Sequence, residues 1–227
     1  MTEAAELTGA AELTDAAELT DAAGRKRERI ARRQVDKFAE RRDQLAAAAL
    51  QTLAVQGYAN TSLRDIAQNS EFSHGVLHYY FADKFELITY CVRQYKAGCV
   101  KRYDSIVATA GTPDELRTGI GAAMAATLRE DAAMHRLWYD LRSQSMFEKA
   151  FQLDVQEIDQ SIERMIWRIV SKFAELTGKH PGVSPGVAYA LADGVFQHAL
   201  LAHLAGHADA GDSLQATVSL LLPSLLG

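Results

Sequence analysis

The sequence predicts an all-α fold of about nine helices, and three observations lead there. From Arg25 onward, apolar residues recur at spacings of three and four, the period of one helix face. Alternation of apolar and polar residues between turn signals, the mark of a half-buried strand, is hard to find. Only four prolines interrupt 227 residues, so long helices can run unbroken.

Residues 1–24 carry a hexapeptide repeat, AAELT closed by Gly9, Asp15 or Asp21. Six residues turn a helix by about 600°, so Leu7, Leu13 and Leu19 point three ways and build no apolar stripe. An acidic, disordered, weakly helical tail is expected there. A basic stretch (Arg25, Lys26, Arg27, Arg29, Arg32, Arg33) then leads into a helix whose apolar positions are Phe38, Leu45, Ala49 and Leu53. Gly57 closes it, as the residue type that most easily takes left-handed backbone after a helix. Two short segments follow, one from Ser62 with Leu63 and Ile66 inward, the other from Ser73 to about Phe81.

Longer helices come next, and several have readable ends. Asp83 and Glu86 suit a capping box for a helix running on the stripe Ile88, Cys91/Val92, Tyr95, Cys99, Tyr103. After Gly111, Thr112-Pro113-Asp114-Glu115 reads as N-cap, first-turn proline and capping acid of the next. Phe151, Val155, Ile158, Ile162, Met165, Ile169, Phe173 and Leu176 mark one long amphipathic helix stopped by Gly178. Ser184-Pro185 opens another that ends near Gly206, and a last short helix covers about Leu214 to Leu225.

Bulk composition narrows the class. Apolar residues make up 48% and charged residues 23%, an ordinary globular balance. No apolar run reaches the roughly 20 residues that span a bilayer, and the acidic start does not read as a secretion signal. Cys91 and Cys99, eight apart, indicate neither a disulfide framework nor a zinc knuckle, so a cytoplasmic protein without membrane contact is expected. The sequence holds no Gly-rich phosphate loop, no GxSxG and no HExxH. Neither catalytic residues nor a cofactor are therefore expected.

Net charge is −5, but it is unevenly spread. Residues 1–24 carry six acids and no Lys or Arg, residues 25–84 eleven Lys/Arg against seven acids, and the remainder thirteen against sixteen. A basic segment inside an acidic chain is what a local polyanion-binding module needs. Within it, residues 57–84 read GYANTSLRDIAQNSEFSHGVLHYYFADK. Two short helices joined by a tight turn, carried on a longer one, are the layout of a helix-turn-helix. The second would expose Ser73, His74, His78, Tyr79 and Tyr80, with Val76 and Leu77 packed inward.

These residues resemble the TetR family. Thr61-Ser62-Leu63-Arg64-Asp65-Ile66-Ala67 looks like its TS-x-R-x-I-A segment, and Ser73-His74-Gly75 with Leu77, Tyr80-Phe81 and Lys84 like its recognition-helix signature. The likeness covers about residues 35–90. Two departures stand out: His78 replaces the usual tyrosine, and Glu71 sits where the turn commonly carries glycine. The resemblance implies that Ser62 and Arg64 touch phosphate or a base edge. It implies that His74, Gly75, His78 and Tyr79 face the major groove, and that Tyr80 and Lys84 hold phosphate beyond it. Arg25–Arg33 suits either flanking phosphate or minor-groove contacts or a plain solvated face.

The same resemblance implies a head at residues 25–84 and a ligand-binding, dimerising body at 85–227. The expected function is a transcriptional regulator, a repressor released from a palindromic double-stranded operator by a small-molecule effector. Homodimerisation is expected through the helices at 184–206 and 214–225, with Leu191, Leu200 and Leu204 on the seam. The aromatic and Met cluster around Trp138 and Phe147 fits either core or cavity. Read as a cavity, its lining would be Tyr95, Tyr103, Met124, Trp138, Phe147 and Trp167, with Arg142 or His198 as polar anchors. His203 and His207, four apart, suit either half a metal site or two surface histidines at a helix end. A DNA-binding scaffold, or a metal-responsive regulator without an organic inducer, is the alternative.

Overall fold

A computed structural model describes Arg29 and residues 32–227, of which those up to Leu45 and those from Ala46 onward belong to two separate compact units. The acidic repeat and the basic residues Arg25, Lys26 and Arg27 lie outside the described residues. In the first unit residues 32–45 are helical, with Arg32, Arg33 and Lys37 exposed. Arg41 donates to Gln44 Oε1 at 2.7 Å. Leu45 is buried, whereas Phe38, assigned to the apolar face, is exposed.

Among the described residues of the second unit all regular structure is helical. Its elements are α1 (46–56), α2 (Leu63–Gln68), α3 (His74–Tyr80), α4 (Lys84–Cys99) and α5 (Asp104–Thr109). They continue with α6 (Pro113–Gln144), α7 (Lys149–Thr177), α8 (Pro185–Leu204) and α9 (Ala210–Ser224). Pro181 and Leu226 form an isolated bridge.

Local chemistry sets most of the boundaries. Ser62, Ser73, Asp83, Thr112 and Ser184 each accept a backbone N–H in the first turn of the helix that follows, each such cap being worth about 1 kcal/mol. At α4 the acid reaches one residue further back than a capping box requires, Glu86 Oε2 accepting from the Ala82 N–H at 2.8 Å. Pro113 and Pro185 occupy first-turn positions, where a missing N–H costs nothing.

Two expectations change. The stripe from Ile88 to Tyr103 is not one helix: α4 stops at Cys99, and Tyr103 stands at the N-cap of the short α5. The 3.6-residue period continues past the true end because Tyr103 is buried anyway. Glu71 also needs no left-handed backbone, since no described non-glycine residue has a positive φ.

α6, α7, α8 and α9 pack together around one core that includes Leu116, Leu128, Ile169, Phe173, Phe196 and Leu214. α6 is broken at Asp131 (φ −119°, ψ 19°), whose carboxylate ion-pairs with Arg102 at 2.7 Å. Asp competes with the helix for backbone hydrogen bonds, and here its side chain is claimed by Arg102, in the turn after α4.

Gly57 and Gly178 end α1 and α7 at φ +77° and +66°. A Cβ at Gly178 meets nothing within 4 Å, whereas one at Gly57 would lie 3.3 Å from Asp140 Oδ2. Gly178→Ala is therefore expected to cost only the left-handed strain, about 1–2 kcal/mol. Gly57→Ala should cost more, because it also crowds that carboxylate. Urea unfolding of the two variants checks the order; equal losses would refute it.

Candidate nucleic-acid interface and internal cavity

α3 has seven residues, too few to hold itself together in water. Leu77, fully buried, anchors it, and the buried Phe72 and Phe81 pin the chain just before and after. Burying a leucine of this kind contributes about 2 kcal/mol. The opposite side is outward. Ser73, His74, Gly75, His78 and Tyr79 are exposed, and Tyr79 is 72% exposed. The His74 and His78 rings meet edge-on at 4.5 Å, as do Tyr79 and Tyr80 at 4.9 Å. At Gly75 an added Cβ would meet nothing within 4 Å, so packing within the chain does not explain the glycine.

On α2, Ser62 is committed to its own helix. It accepts from the Asp65 N–H at 3.2 Å and donates to Asp65 Oδ2 at 2.6 Å. The Ser62 hydroxyl and the Ser62 backbone N–H, which donates to the same oxygen at 2.8 Å, hold the Asp65 carboxyl below its usual pKa. Arg64 is exposed on the same helix. Lys84 is half-buried: its Nζ donates to the Tyr58 carbonyl at 2.9 Å and stands 4.1 Å from the Tyr58 ring centroid. Burial lowers its pKa despite Asp140 and Asp65 nearby. The role expected of Lys84 on phosphate is thus joined by an internal one, bracing the start of α4 against the end of α1.

Tyr58 is also gripped from α6. Asp140 Oδ2 accepts its N–H at 2.8 Å, and Arg136 donates to the carbonyls of Ala54 and, at 2.9 Å, Val55. The Tyr58 and Phe85 rings rest on Phe151 of α7, with centroids 5.0 and 4.5 Å away.

One face along from Arg136 and Asp140, α6 lines an internal cavity of about 70 Å³. Lys96, Tyr103, Met124, Thr127, His135, Trp138, Tyr139, Ile166, Tyr189 and Phe196 are among its walls. Of the residues expected to line such a space, Tyr103, Met124 and Trp138 are among these walls. The other three, and the two expected polar anchors, are not. Phe147 lies beyond the end of α6 and is 83% exposed. Trp167 is one position past the inward Ile166, hence about 100° round α7, and packs half-buried against the core elsewhere. His198 is on the outer side of α8, in a groove toward α9. Tyr95 touches the His135 ring edge-on at 5.8 Å but does not line the space. Arg142 sits beside it, bonded to Asp193 at 2.5 Å and Asp159 at 3.4 Å.

Sequence reasoning missed Lys96, His135 and Thr127. Lys96 is buried, and burial pushes its pKa down to about 8. Its Nζ faces His135 Nδ1 at 3.4 Å. Burial first, then the Lys96 and Arg102 charges, push His135 down to about 2, so the ring is neutral. Burial and the nearby Asp193 raise the Tyr139 hydroxyl, which donates to Asp193 Oδ1 at 2.9 Å. The expected His203–His207 pair holds no cluster: among the described residues no three His, Cys, Asp or Glu side chains converge as a metal site would need. No described helix is long and apolar enough to cross a membrane.

A family profile described as "Bacterial regulatory proteins, tetR family" matches residues 45–91. The HTH-type transcriptional repressor KstR2 of Mycolicibacterium smegmatis is 33% identical over 82 residues, which span 36% of this chain and 40% of the repressor. Solved structures share the fold. FadR from Bacillus subtilis, in complex with stearoyl-CoA, aligns over 81% of this chain and 98% of its own (TM-score 0.67, 16% identity). A putative regulator from Saccharomonospora viridis, in complex with choline, aligns over 83% and 98% (TM-score 0.69, 14% identity). The ketosteroid transcriptional regulator KstR2 of Mycobacterium tuberculosis aligns over 82% and 95% (TM-score 0.58, 20% identity). The braced short helix of α3, the helix order and the matched segment agree: residues 45–91 are similar to the TetR family of bacterial regulatory proteins, and the chain has the fold of solved TetR-type regulators.

Proposed function

We propose that the chain is a sequence-specific DNA-binding transcriptional regulator, a homodimeric repressor that leaves a palindromic operator when a small molecule occupies the α6 cavity. The outward face of α3 carries the reading. A rigidly docked short helix that presents two imidazoles, a phenol and an unexplained glycine has the chemistry to meet base edges and thymine methyls at close range. Ser73, His74, Gly75, His78 and Tyr79 are assigned to the groove, and Ser62, Arg64, Tyr80 and Lys84 to phosphate. Residues 25–84 are then the head and 85–227 the regulatory body.

The effector reading rests on where the cavity sits. His135, Trp138 and Tyr139 line it, while Arg136 and Asp140 of the same helical turns hold the end of α1 and Tyr58. A ligand that shifts this part of α6 favours one head position over another, which is what coupling between two sites requires. Structural relatives solved with stearoyl-CoA and with choline show that this fold takes small molecules of unlike chemistry.

Dimerisation is assigned to α8 and α9. α8 is apolar on both sides: Ala188, Ala192, Phe196 and Leu200 are buried, while Val187, Leu191, Leu201 and Leu204 are exposed. Leu220 of α9 is exposed as well. Leu200, expected on the seam, is 2% exposed and belongs to the protomer's own core; Leu201 takes its place.

Selection of sites from random DNA tests the main reading. An inverted repeat is expected, and no enrichment would leave a non-specific scaffold. On the selected site His78→Ala and Tyr79→Ala should each cost about 1–3 kcal/mol of binding. Gly75→Ala should leave folding unchanged or up to about 1 kcal/mol better, yet weaken DNA binding. Wild-type affinity in all three would move the recognition face elsewhere. Leu191→Glu, Leu201→Glu and Leu204→Glu should each give folded monomers, since a carboxylate buried in an apolar seam costs several kcal/mol. Light scattering reads this out; three dimers would relocate the interface.

A further inference from the structure

Lys96 has no described carboxylate paired with it, although it is only 5% exposed. An uncompensated buried ammonium costs several kcal/mol. What Lys96 does have is a neutral ring nitrogen, His135 Nδ1 at 3.4 Å, and the face of Trp138, whose centroid lies 5.0 Å away. A nitrogen that faces an ammonium can only accept, so the His135 proton falls on Nε2. That Nε2 is buried without a partner, and so is the indole Nε1 of Trp138. Three lining residues grouped around Lys96 therefore bring N–H donors to the cavity wall with two of them unbonded, each unmade bond costing about 1–3 kcal/mol.

Acceptors on the wall are already taken. Asp193 accepts from Tyr139 at 2.9 Å and from Arg142 at 2.5 Å. Thr127 Oγ1 accepts from Arg102 at 2.8 Å, and Arg102 is paired with Asp131. The Tyr189 hydroxyl is given to Asp159. The rest of the lining is apolar, with Met124, Ile162, Met165, Ile166 and Phe196. A donor-rich lining whose ammonium has no paired carboxylate, whose one lining carboxylate, Asp193, is already bonded, and whose other walls are hydrocarbon defines the complementary molecule.

We propose that the cavity takes an apolar monocarboxylic acid, its carboxylate accepting from Lys96 and the Trp138 indole and its hydrocarbon part lying among Met124, Ile162, Met165, Ile166 and Phe196. The proposal rests on the effector reading for its biological role, but not for its chemistry. At about 70 Å³ the space is smaller than the roughly 300–1,000 Å³ of ordinary ligand sites. The acid therefore enters by displacing wall side chains, which ties occupancy to movement of α6.

The probes are octanoate and 4-phenylbutanoate, each beside its primary amide, titrated calorimetrically into the full chain at neutral pH. Each acid should bind at least about 30-fold tighter than its amide, the size expected of a desolvated charged hydrogen bond. Lys96→Met should reduce the acids to the affinity of the amides while leaving the amides within about threefold, and should raise the unfolding midpoint because an unpaired charge is gone. Trp138→Phe removes the N–H together with part of the ring; the lost shape acts on acids and amides alike, so the acid-to-amide affinity ratio should fall about fivefold, and that ratio carries the test if Lys96→Met does not fold. Amides that match their acids, an unchanged acid affinity in Lys96→Met, or no binding of either acid at about 5 mM would overturn the proposal. Acid binding that leaves the affinity for the selected DNA unchanged would sustain the anchor and sink the effector role. Release of DNA by amides as readily as by acids would do the reverse.

Discussion

The peptide of Tyr58 is held at both ends, its N–H by Asp140 of α6 and its C=O by Lys84 of α4. Around that one residue the last turn of α1, the start of α4, the second half of α6 and the start of α7 converge, the last through the Phe151 ring. Arg136 adds a guanidinium on carbonyls at the end of α1, where a helix leaves acceptors unsatisfied and its dipole favours a cation. Few of these contacts are strong alone. Together they fix the angle at which α1, and with it the docked pair α2–α3, meets the larger helices. The six residues 57–62 between α1 and α2 thereby behave as a rigid joint.

Much of this fold was legible because helix ends are written locally. Ser73, Thr112-Pro113, Ser184-Pro185 and Gly178 each act within one turn, so a window of a few residues contains the whole cause. The cavity is different. Periodicity gives the phase of a helix but not the neighbour it faces, so Trp167 and His198 looked as eligible as Met124 and Trp138. The tight turn at Glu71 needed no glycine because the chain makes it without left-handed backbone. Lys96 was the readable signal that went unread. It lies four residues past Val92 and eight past Ile88 on the buried side of α4, and a charge at a core position is worth more attention than one on a polar face.

α8 illustrates why composition and burial have to be read together. A helix apolar all round is normally enclosed on every side, yet half of this one is open in a single protomer. Gly194 and Ala190, on the open side, leave that surface shallow. Val187, Leu191, Leu201 and Leu204 stand exposed around those small residues, so the open side carries large apolar ridges beside a shallow groove.

The interruption of α6 at Asp131 divides that helix mechanically. A continuous rod transmits torque along its whole length; one whose hydrogen-bond ladder is broken midway does not. The leading segment, with Leu116, Ile120, Ala125 and Leu128, is fixed in the packed core. The trailing segment bears His135, Arg136, Trp138 and Asp140. Twisting the latter need not disturb the former, and its tie to α8 runs through Asp193, which accepts from Tyr139 and Arg142. In engineering terms, the fold separates its bearing from its lever within a single helix.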